Sequence, residues 1–271
     1  MRSFLLGLVF SSAFEFGGSG VATPTLDRVA IPLVPANNLG SGAFTIEFFL
    51  KAPPGSNPLG PACSPGADAW IEGHIVLDRD VYGPGDYGDF GVSLMQGRIA
   101  FGLAQGTIGL TLCGSSDLRD GLWHHVALVR ESSGMLRLFV DGALQGSVMA
   151  PNGDVSYRLG RATPWPWDPY LVVGAEKHDA GPSYPSFAGR IAELRLSTIA
   201  RYSVPFSPPA GPFAPDGATA GLFGFEDLSG ILVRDRAGVQ DGERRVNAAC
   251  LPRPKRDAPW RPMLFDDGFE C

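Results

Sequence analysis

The chain has 271 residues, 44% hydrophobic and only 18% charged, enough apolar material for a packed core and too little charge for a disordered chain. Its 36 glycines and 24 prolines follow no Gly-X-Y period, which excludes collagen, and they interrupt nearly every stretch of the roughly eleven residues an ordinary helix needs, which excludes helical bundles and doubly wound α/β folds. The net charge of −6 hides a basic window at 244–261, so the remaining body, near −11, repels phosphate backbones and nucleic acid is not an expected partner.

In chain order, Met1-Arg2-Ser3, the apolar run Phe4 to Phe10 and the small residues Ser11-Ser12-Ala13 read as a secretory leader cleaved after Ala13. The alternatives are an N-terminal strand behind a mis-assigned start, and a cut after Ala22 that would remove the strand expected at Phe14. The apolar run is far shorter than the roughly 20 residues that span a bilayer, and no later run reaches that length, so no transmembrane segment is expected. The expected destination is secreted, extracellular or periplasmic. One domain is expected over 14–240, followed by a basic, Pro-rich tail over 241–271.

Residues 43–51 place Phe44, Ile46, Phe48 and Leu50 on one face and Thr45, Glu47 and Lys51 on the other, the alternation of a half-buried strand. Further short strands are predicted at 75–77, 90–95, 98–103 and 109–112. Residues 122–130 are apolar at nearly every position, as in a central strand covered on both faces. A turn at Glu131 to Gly134, a return strand at 135–140 and a second turn at Asp141-Gly142 make a hairpin. More strands are expected at 171–174, 190–197 and 221–225. Short strands split by turns, with no repeat of 20–50 residues, are the pattern of an antiparallel two-sheet sandwich.

The four cysteines, Cys63, Cys113, Cys250 and Cys271, allow three pairings, and none lies in the Cys-x-x-Cys spacing of zinc or redox sites. Cys63 with Cys113, each in a Gly/Ser/Pro-rich loop, and Cys250 with Cys271 are the expected bridges.

The stretch Asp120-Gly-Leu-Trp-His-His-Val-Ala-Leu-Val-Arg130, with Leu136-Arg-Leu-Phe-Val-Asp-Gly142, resembles the central hairpin of laminin G-like and pentraxin-like domains, which are concanavalin A-like jelly rolls. Phe44 to Phe48, Phe187 to Ser197 and Leu222 to Glu226 resemble, in order, an early inner strand, a late strand and the closing strand. Phe14-Glu-Phe-Gly-Gly18 is similar to the first strand. The resemblance covers about 210 residues and implies an all-β antiparallel jelly-roll sandwich of the exported bacterial type. Ala192 stands where the late strand commonly has Asp, which weakens a ligand carboxylate there. The segments Leu77 to Gly83 and Gly174 to Asp179 also resemble parts of such exported relatives, and the terminal Phe265 to Glu270 resembles a short tail that ends many secreted bacterial proteins.

Relatives of this fold include glycoside hydrolases with alternating carboxylates on one strand, a pattern missing around Glu193. Retaining hydrolysis needs two carboxyls roughly 5–5.5 Å apart. No nucleophile elbow, zinc helix or phosphate loop appears either, so no enzymatic activity is expected. Asp78, Asp80, Asp86 and Asp89 supply hard oxygen donors within twelve residues, a candidate Ca2+ site that Glu176 or Asp179 would complete. The competing reading is Asp-Gly turns and ion pairs with Arg79 or Lys177. Glu176 to Asp179 itself reads as a rim loop held by ion pairs. His124 and His125 point to opposite faces of one strand and read as packing residues, one of them satisfied by a buried hydrogen bond. Thr163 to Tyr170 holds Trp165, Trp167 and Tyr170 between prolines, a stiff aromatic loop suited to the apolar faces of sugar rings or to a protein partner, or one that folds onto the sandwich. The expected function is a non-catalytic recognition module for a glycan or surface polymer, assisted by calcium. A structural or adhesive protein-interaction domain is the alternative, and a hydrolase with an unrecognised site the third reading.

Overall fold

The computed structural model describes residues 10, 12–18, 28–81, 88–178, 180–209, 211–226 and 231–245, and the backbone of 251–252 and 269–270. Fifteen strands form two antiparallel sheets: Phe14–Gly17 (β1), Arg28–Pro32 (β2), Phe44–Lys51 (β3), His74–Arg79 (β4), Gly88–Met95 (β5), Arg98–Gln105 (β6), Ile108–Cys113 (β7), His124–Arg130 (β8), Met135–Val140 (β9), Ala143–Met149 (β10), Tyr170–Val173 (β11), Ala188–Ser197 (β12), Thr219–Phe223 (β13), Leu232–Val233 (β14) and Gly242–Arg245 (β15). A seven-stranded sheet has the order β1-β12-β3-β8-β9-β10, with β1 and β13 sharing one edge of β12 end to end. An eight-stranded sheet has the order β14-β15-β2-β11-β4-β5-β6-β7. Leu251–Pro252 (β16) and Phe269–Glu270 (β17) pair apart from both. The architecture is the all-β jelly-roll sandwich expected from the sequence.

The core lies between the sheets, where Phe44, Ile46, Phe48 and Leu50 of β3 meet Phe90, Val92, Leu94, Ile99, Phe101 and Leu103 of β5 and β6. The period-two alternation of those strands is what aims one apolar set inward. The β9–β10 connection is the two-residue turn read from Asp141-Gly142, with φ of 51° and 74°, the pattern that matches strand twist. Strand β8 is buried over almost its whole length, as expected of a central strand.

The sequence reading needs correction in two places. Strand β3 is not half-buried: every residue from Phe44 to Leu50 is buried, because 199–209 and 211–216 lie on the outer face of its sheet and lay Tyr202, Phe206 and Phe213 on it. The folded unit also runs past residue 240. Strand β15 pairs with β2 inside the eight-stranded sheet, and Arg244 and Arg245, read as tail residues, lie over the rings of Phe14 and Trp167.

The opposite outer face is covered by residues 52–73. Trp70 lies on Gly91 and Gly102, where an added Cβ would come within 2.0 and 1.7 Å of its ring, so only glycine leaves room for it. The Cys63–Cys113 disulfide fastens this loop to β7 across a separation of 50 residues, as expected. On the chain-entropy account that closure is worth about 4 kcal/mol. Cys250 and Cys271 lie outside the described residues, as do residues 1–9 of the expected leader, Asp86 and Asp179. No helix among the described residues is long and apolar enough to cross a membrane.

Candidate functional site

Two regions far apart in sequence, the end of β4 and the segments on either side of β11, meet on one rim of the eight-stranded sheet. Strand β11 lies between β2 and β4, with Val172 opposite Asp78. This order brings the end of β4, with Asp78 and Asp80, beside the aromatic loop 163–170 that feeds β11. After β11 the chain turns at Gly174, whose φ of 92° and contact with the Phe16 ring admit no side chain. The turn lets the Lys177 amide reach back and donate to Asp78 Oδ2 at 2.8 Å.

His178 is the centre of the rim. Its Nε2 lies 2.7 Å from Oδ1 of the fully buried Asp168, whose Oδ2 accepts from Arg161 Nη1 at 3.0 Å. Its Nδ1 faces Glu176 Oε1 at 3.2 Å and Asp80 Oδ2 at 3.7 Å. With Nε2 committed to Asp168, the second ring nitrogen and two carboxylates converge. One donor atom each from Asp80, Glu176 and His178 lie within 4.8 Å of one another. Such a convergence is satisfied either by a proton on the ring or by a bound cation. Burial pulls the His178 pKa down, but its hydrogen bond to Glu176 and the surrounding acids outweigh this, and the net shift is upward.

Of the four aspartates expected to hold calcium, only Asp80 belongs to this donor cluster among the described residues. Asp78 is fully buried and its two oxygens accept the backbone N–H groups of Asp80 and Lys177. Burial, and then the charge of Glu176, push its pKa up to about 7. Asp89 is buried too, with one oxygen lacking a hydrogen-bond donor, and burial with the nearby Asp80 raises it to about 7. The segment Glu176 to His178 is buried throughout, and its His178 faces the carboxylates of Asp168 and Glu176. Lys177 Nζ donates to the carbonyls of Asp168 and Tyr170 at 3.1 and 3.2 Å, with no acid paired to it among the described residues.

The aromatic loop forms the outer wall of this rim. The ring of Trp165 meets His178 edge-on at 5.5 Å, Trp167 meets Tyr170 at 5.1 Å, and Arg245 lies over the Trp167 ring at 5.3 Å. All three aromatics are half-buried. The sequence therefore located two adjoining parts of one rim without the residues that join them, Asp168 and His178. Asp168 lies inside the Trp-Pro-Trp-Asp-Pro run itself, and only its place beside the sheet reveals its partner.

The two histidines of β8 separate as the alternation requires. His125 is fully buried with Nε2 3.1 Å from Glu47 Oε2, whereas His124 bridges Asp141 and Asp120 at 2.8 and 3.0 Å. The buried hydrogen bond expected for one of the two is that of His125, and those of His124 lie nearer the surface. Glu47 also accepts from Tyr202 and Arg195, each at 2.8 Å. Glu193, at φ 54° in a bulge of β12, accepts from the Phe213 amide at 2.9 Å and pairs with Arg236. These carboxylates fasten the covering segments to the seven-stranded sheet.

Among solved structures, a candidate carbohydrate-binding protein from Bacteroides ovatus is similar at 14% identity with a TM-score of 0.56, over 87% of this chain and 58% of that one. A heptameric SAP-like pentraxin from Limulus polyphemus matches at 12% identity and a TM-score of 0.49, over 87% of this chain and 95% of its own. Mouse laminin α1 domains LG4–5 match at 15% and 0.48, over 74% and 45%. At these identities the likeness is one of fold, and the chain spans little more than half of the Bacteroides protein. The curated protein sequences contain no match to it. Its own sequence nevertheless matches the concanavalin A-like lectin/glucanases superfamily across residues 27–203, well over half its length, so the chain belongs to this superfamily.

Proposed function

We propose that this protein is an exported, non-catalytic recognition module that binds carbohydrate or a surface polymer at the rim formed by Trp165, Trp167, Tyr170 and the Asp80–Glu176–His178 cluster. The observation that carries this reading is the convergence of the Trp165 ring and acidic groups on His178. Aromatic faces stack on the apolar faces of sugar rings, and fixed polar groups beside them give orientation. The carbohydrate-binding description attached to the Bacteroides ovatus structure agrees with this reading. The arginine-bound states of Glu47 and Glu193 agree with a module that does not catalyse hydrolysis.

The donor set fits a divalent cation held by Asp80, Glu176 and His178, with Asp168 orienting the imidazole through its far nitrogen, as outer carboxylates do for metal-bound histidines. The mixture of one nitrogen and two carboxylates differs from the all-oxygen shell calcium prefers. In this reading calcium competes with borderline cations for the same position.

A glycan array probed with the exported protein, once with excess Ca2+ and once with chelator, tests both parts. Binding to a defined glycan class that falls at least tenfold in Trp165→Ala/Trp167→Ala supports the rim. Equal binding by that variant, or no binding under either condition, refutes it. Loss of binding on chelation supports the cation, and calcium-independent binding removes it from the account.

A further inference from the structure

Asp80, Glu176 and His178 each offer the rim a single donor atom. Glu176 spends Oε2 on the His178 amide at 2.8 Å and His178 spends Nε2 on Asp168, which leaves Glu176 Oε1 and His178 Nδ1 to face Asp80 Oδ2. The separations from Nδ1, 3.2 Å to Glu176 and 3.7 Å to Asp80, straddle the edge of about 3.4 Å that nitrogen and oxygen donors make in a tetrahedron around zinc. The oxygens that would widen this shell are already used. Both oxygens of Asp78 accept backbone N–H groups, those of Asp168 pair with His178 and Arg161, and the carbonyls of Asp168 and Tyr170 accept from Lys177 Nζ.

A separate observation points to the same place. Asp89 is 6% exposed, and its Oδ1 is buried with no hydrogen-bond donor. Arg79 pairs with Phe90 across the β4–β5 ladder, so Asp80 and Asp89, the adjoining residues, lie on one face, and the strongest charge acting on Asp89 is that of Asp80. A buried acceptor without a donor is costly, and a water held by an ion at Asp80 supplies one.

We propose that Asp80, Glu176 and His178 bind a borderline first-row divalent cation, Zn2+ in preference to Ca2+, with a water as fourth ligand that donates to Asp89. The inference rests on the cation in the reading above and not on the carbohydrate. Imidazole nitrogen suits zinc, whereas calcium takes about six to eight oxygens. Three protein donors and one water are the set of an open zinc site. Two carboxylates balance the charge of the ion, which is how Glu176, 1% exposed, is stabilised in the interior. Asp168 is the positioning residue: it fixes which ring nitrogen faces the ion, and Arg161 fixes Asp168.

The test titrates the full chain, freed of metal by chelation and dialysis, with ZnCl2 and with CaCl2 in a calorimeter. The expected result is one Zn2+ per chain, bound about a hundredfold tighter than Ca2+ or more, and with Co2+ the intense visible absorption of a four-coordinate ion. Because His178 and Glu176 are buried, the half-exposed Asp80 carries the main variant. Asp80→Asn should weaken Zn2+ about tenfold or more, and Asp168→Asn, which keeps an acceptor opposite Nε2, about 10- to 100-fold with the Co2+ band retained. Equal affinities for the two salts, no heat from either, a six-coordinate Co2+ spectrum or an unchanged Zn2+ affinity in Asp80→Asn overturns the site. Zinc binding lost in His124→Gln but kept in Asp80→Asn places the ion at β8 and overturns it too. An unchanged affinity in Asp168→Asn overturns its positioning role. A silent glycan array leaves this titration standing, and a silent titration leaves the aromatic wall to be judged by the array alone.

Discussion

The two outer faces of the sandwich are both covered by loop, and they are fastened by opposite physics. Over the eight-stranded sheet, residues 52–73 are held by a disulfide and by one tryptophan in a trough that two glycines leave open. The polar contacts there serve the loop backbone, as when Trp70 N–H donates to Thr111 Oγ1 at 3.2 Å and Ser93 Oγ donates to the Trp70 carbonyl at 2.5 Å. Over the seven-stranded sheet, residues 199–209 and 211–216 are held by charge added to ring packing. The fully buried Glu47 gathers His125, Arg195 and Tyr202, and Tyr202 stacks on Phe206 at 3.6 Å. A buried carboxylate holds a cover only while ionised, whereas a packed ring holds it at any pH. The first cover is thus fixed once the bridge forms, and the second answers to protons.

Three experiments sharpen that contrast. The largest effect is expected from Trp70→Ala, which empties the trough over Gly91 and Gly102. Urea unfolding should show a loss of about 3–5 kcal/mol, and the loss should be nearly the same at every pH between about 5 and 8. A loss under 1 kcal/mol, or one confined to acid pH, would contradict the account of that cover.

Glu47→Gln comes next, with an expected loss of about 3 kcal/mol, because removing one partner of a buried ion pair strands the others. Burial pushes the Glu47 pKa up, but the His125 hydrogen bond and the Arg195 charge outweigh this and hold it below its ordinary value of 4.5. A carboxyl with a depressed folded pKa contributes stability that is present above the unfolded value and disappears as the pH falls through the folded one. The difference between parent and variant should therefore narrow in acid, and a difference that stays constant down to about pH 3 would rule out the ionic fastening.

His124→Gln should have the smallest effect, of opposite sign in pH. Burial lowers the His124 pKa, and the bonds to Asp141 and Asp120 outweigh it, so the net shift is upward from 6.5. Its contribution is then complete below that value and lost as the pH rises through the folded one. Melting temperatures of parent and variant should converge between about pH 6 and 8; a difference that stays constant over that range would show that His124 acts through packing alone.

How much of this was legible beforehand depended on whether the information was local. Alternation in β3, the apolar run of β8 and the Asp141-Gly142 turn are properties of neighbouring residues, and these elements appeared where the sequence put them. Strand β10, Ala-Leu-Gln-Gly-Ser-Val-Met, was missed because it is an exposed edge with a bulge at Leu144 to Gly146, and nothing buries one of its faces cleanly. Strands β2 and β15 were missed because Pro32 and the charged Gly-Glu-Arg-Arg run argue against strands until each supplies the other's hydrogen bonds. The site obeyed the same rule. Asp80 and the tryptophans announced themselves by composition, but the His178–Asp168 and His125–Glu47 pairs depend on which strands are neighbours and in what register, and no local pattern encodes that.

The sharing of β12 by β1 and β13 sets a clock on assembly. Glu15 and its partner Arg190 are separated by 175 residues, so a ribosome adding about 5–20 residues per second leaves the first strand alone for roughly 10–35 s. Throughout that interval Phe14 and Phe16, later among the buried rings, have no sheet to join. Pairings of such long range close late and slowly, which makes the first strand of this protein one of the last to find its place and its two phenylalanines the surface that a holding chaperone would meet first.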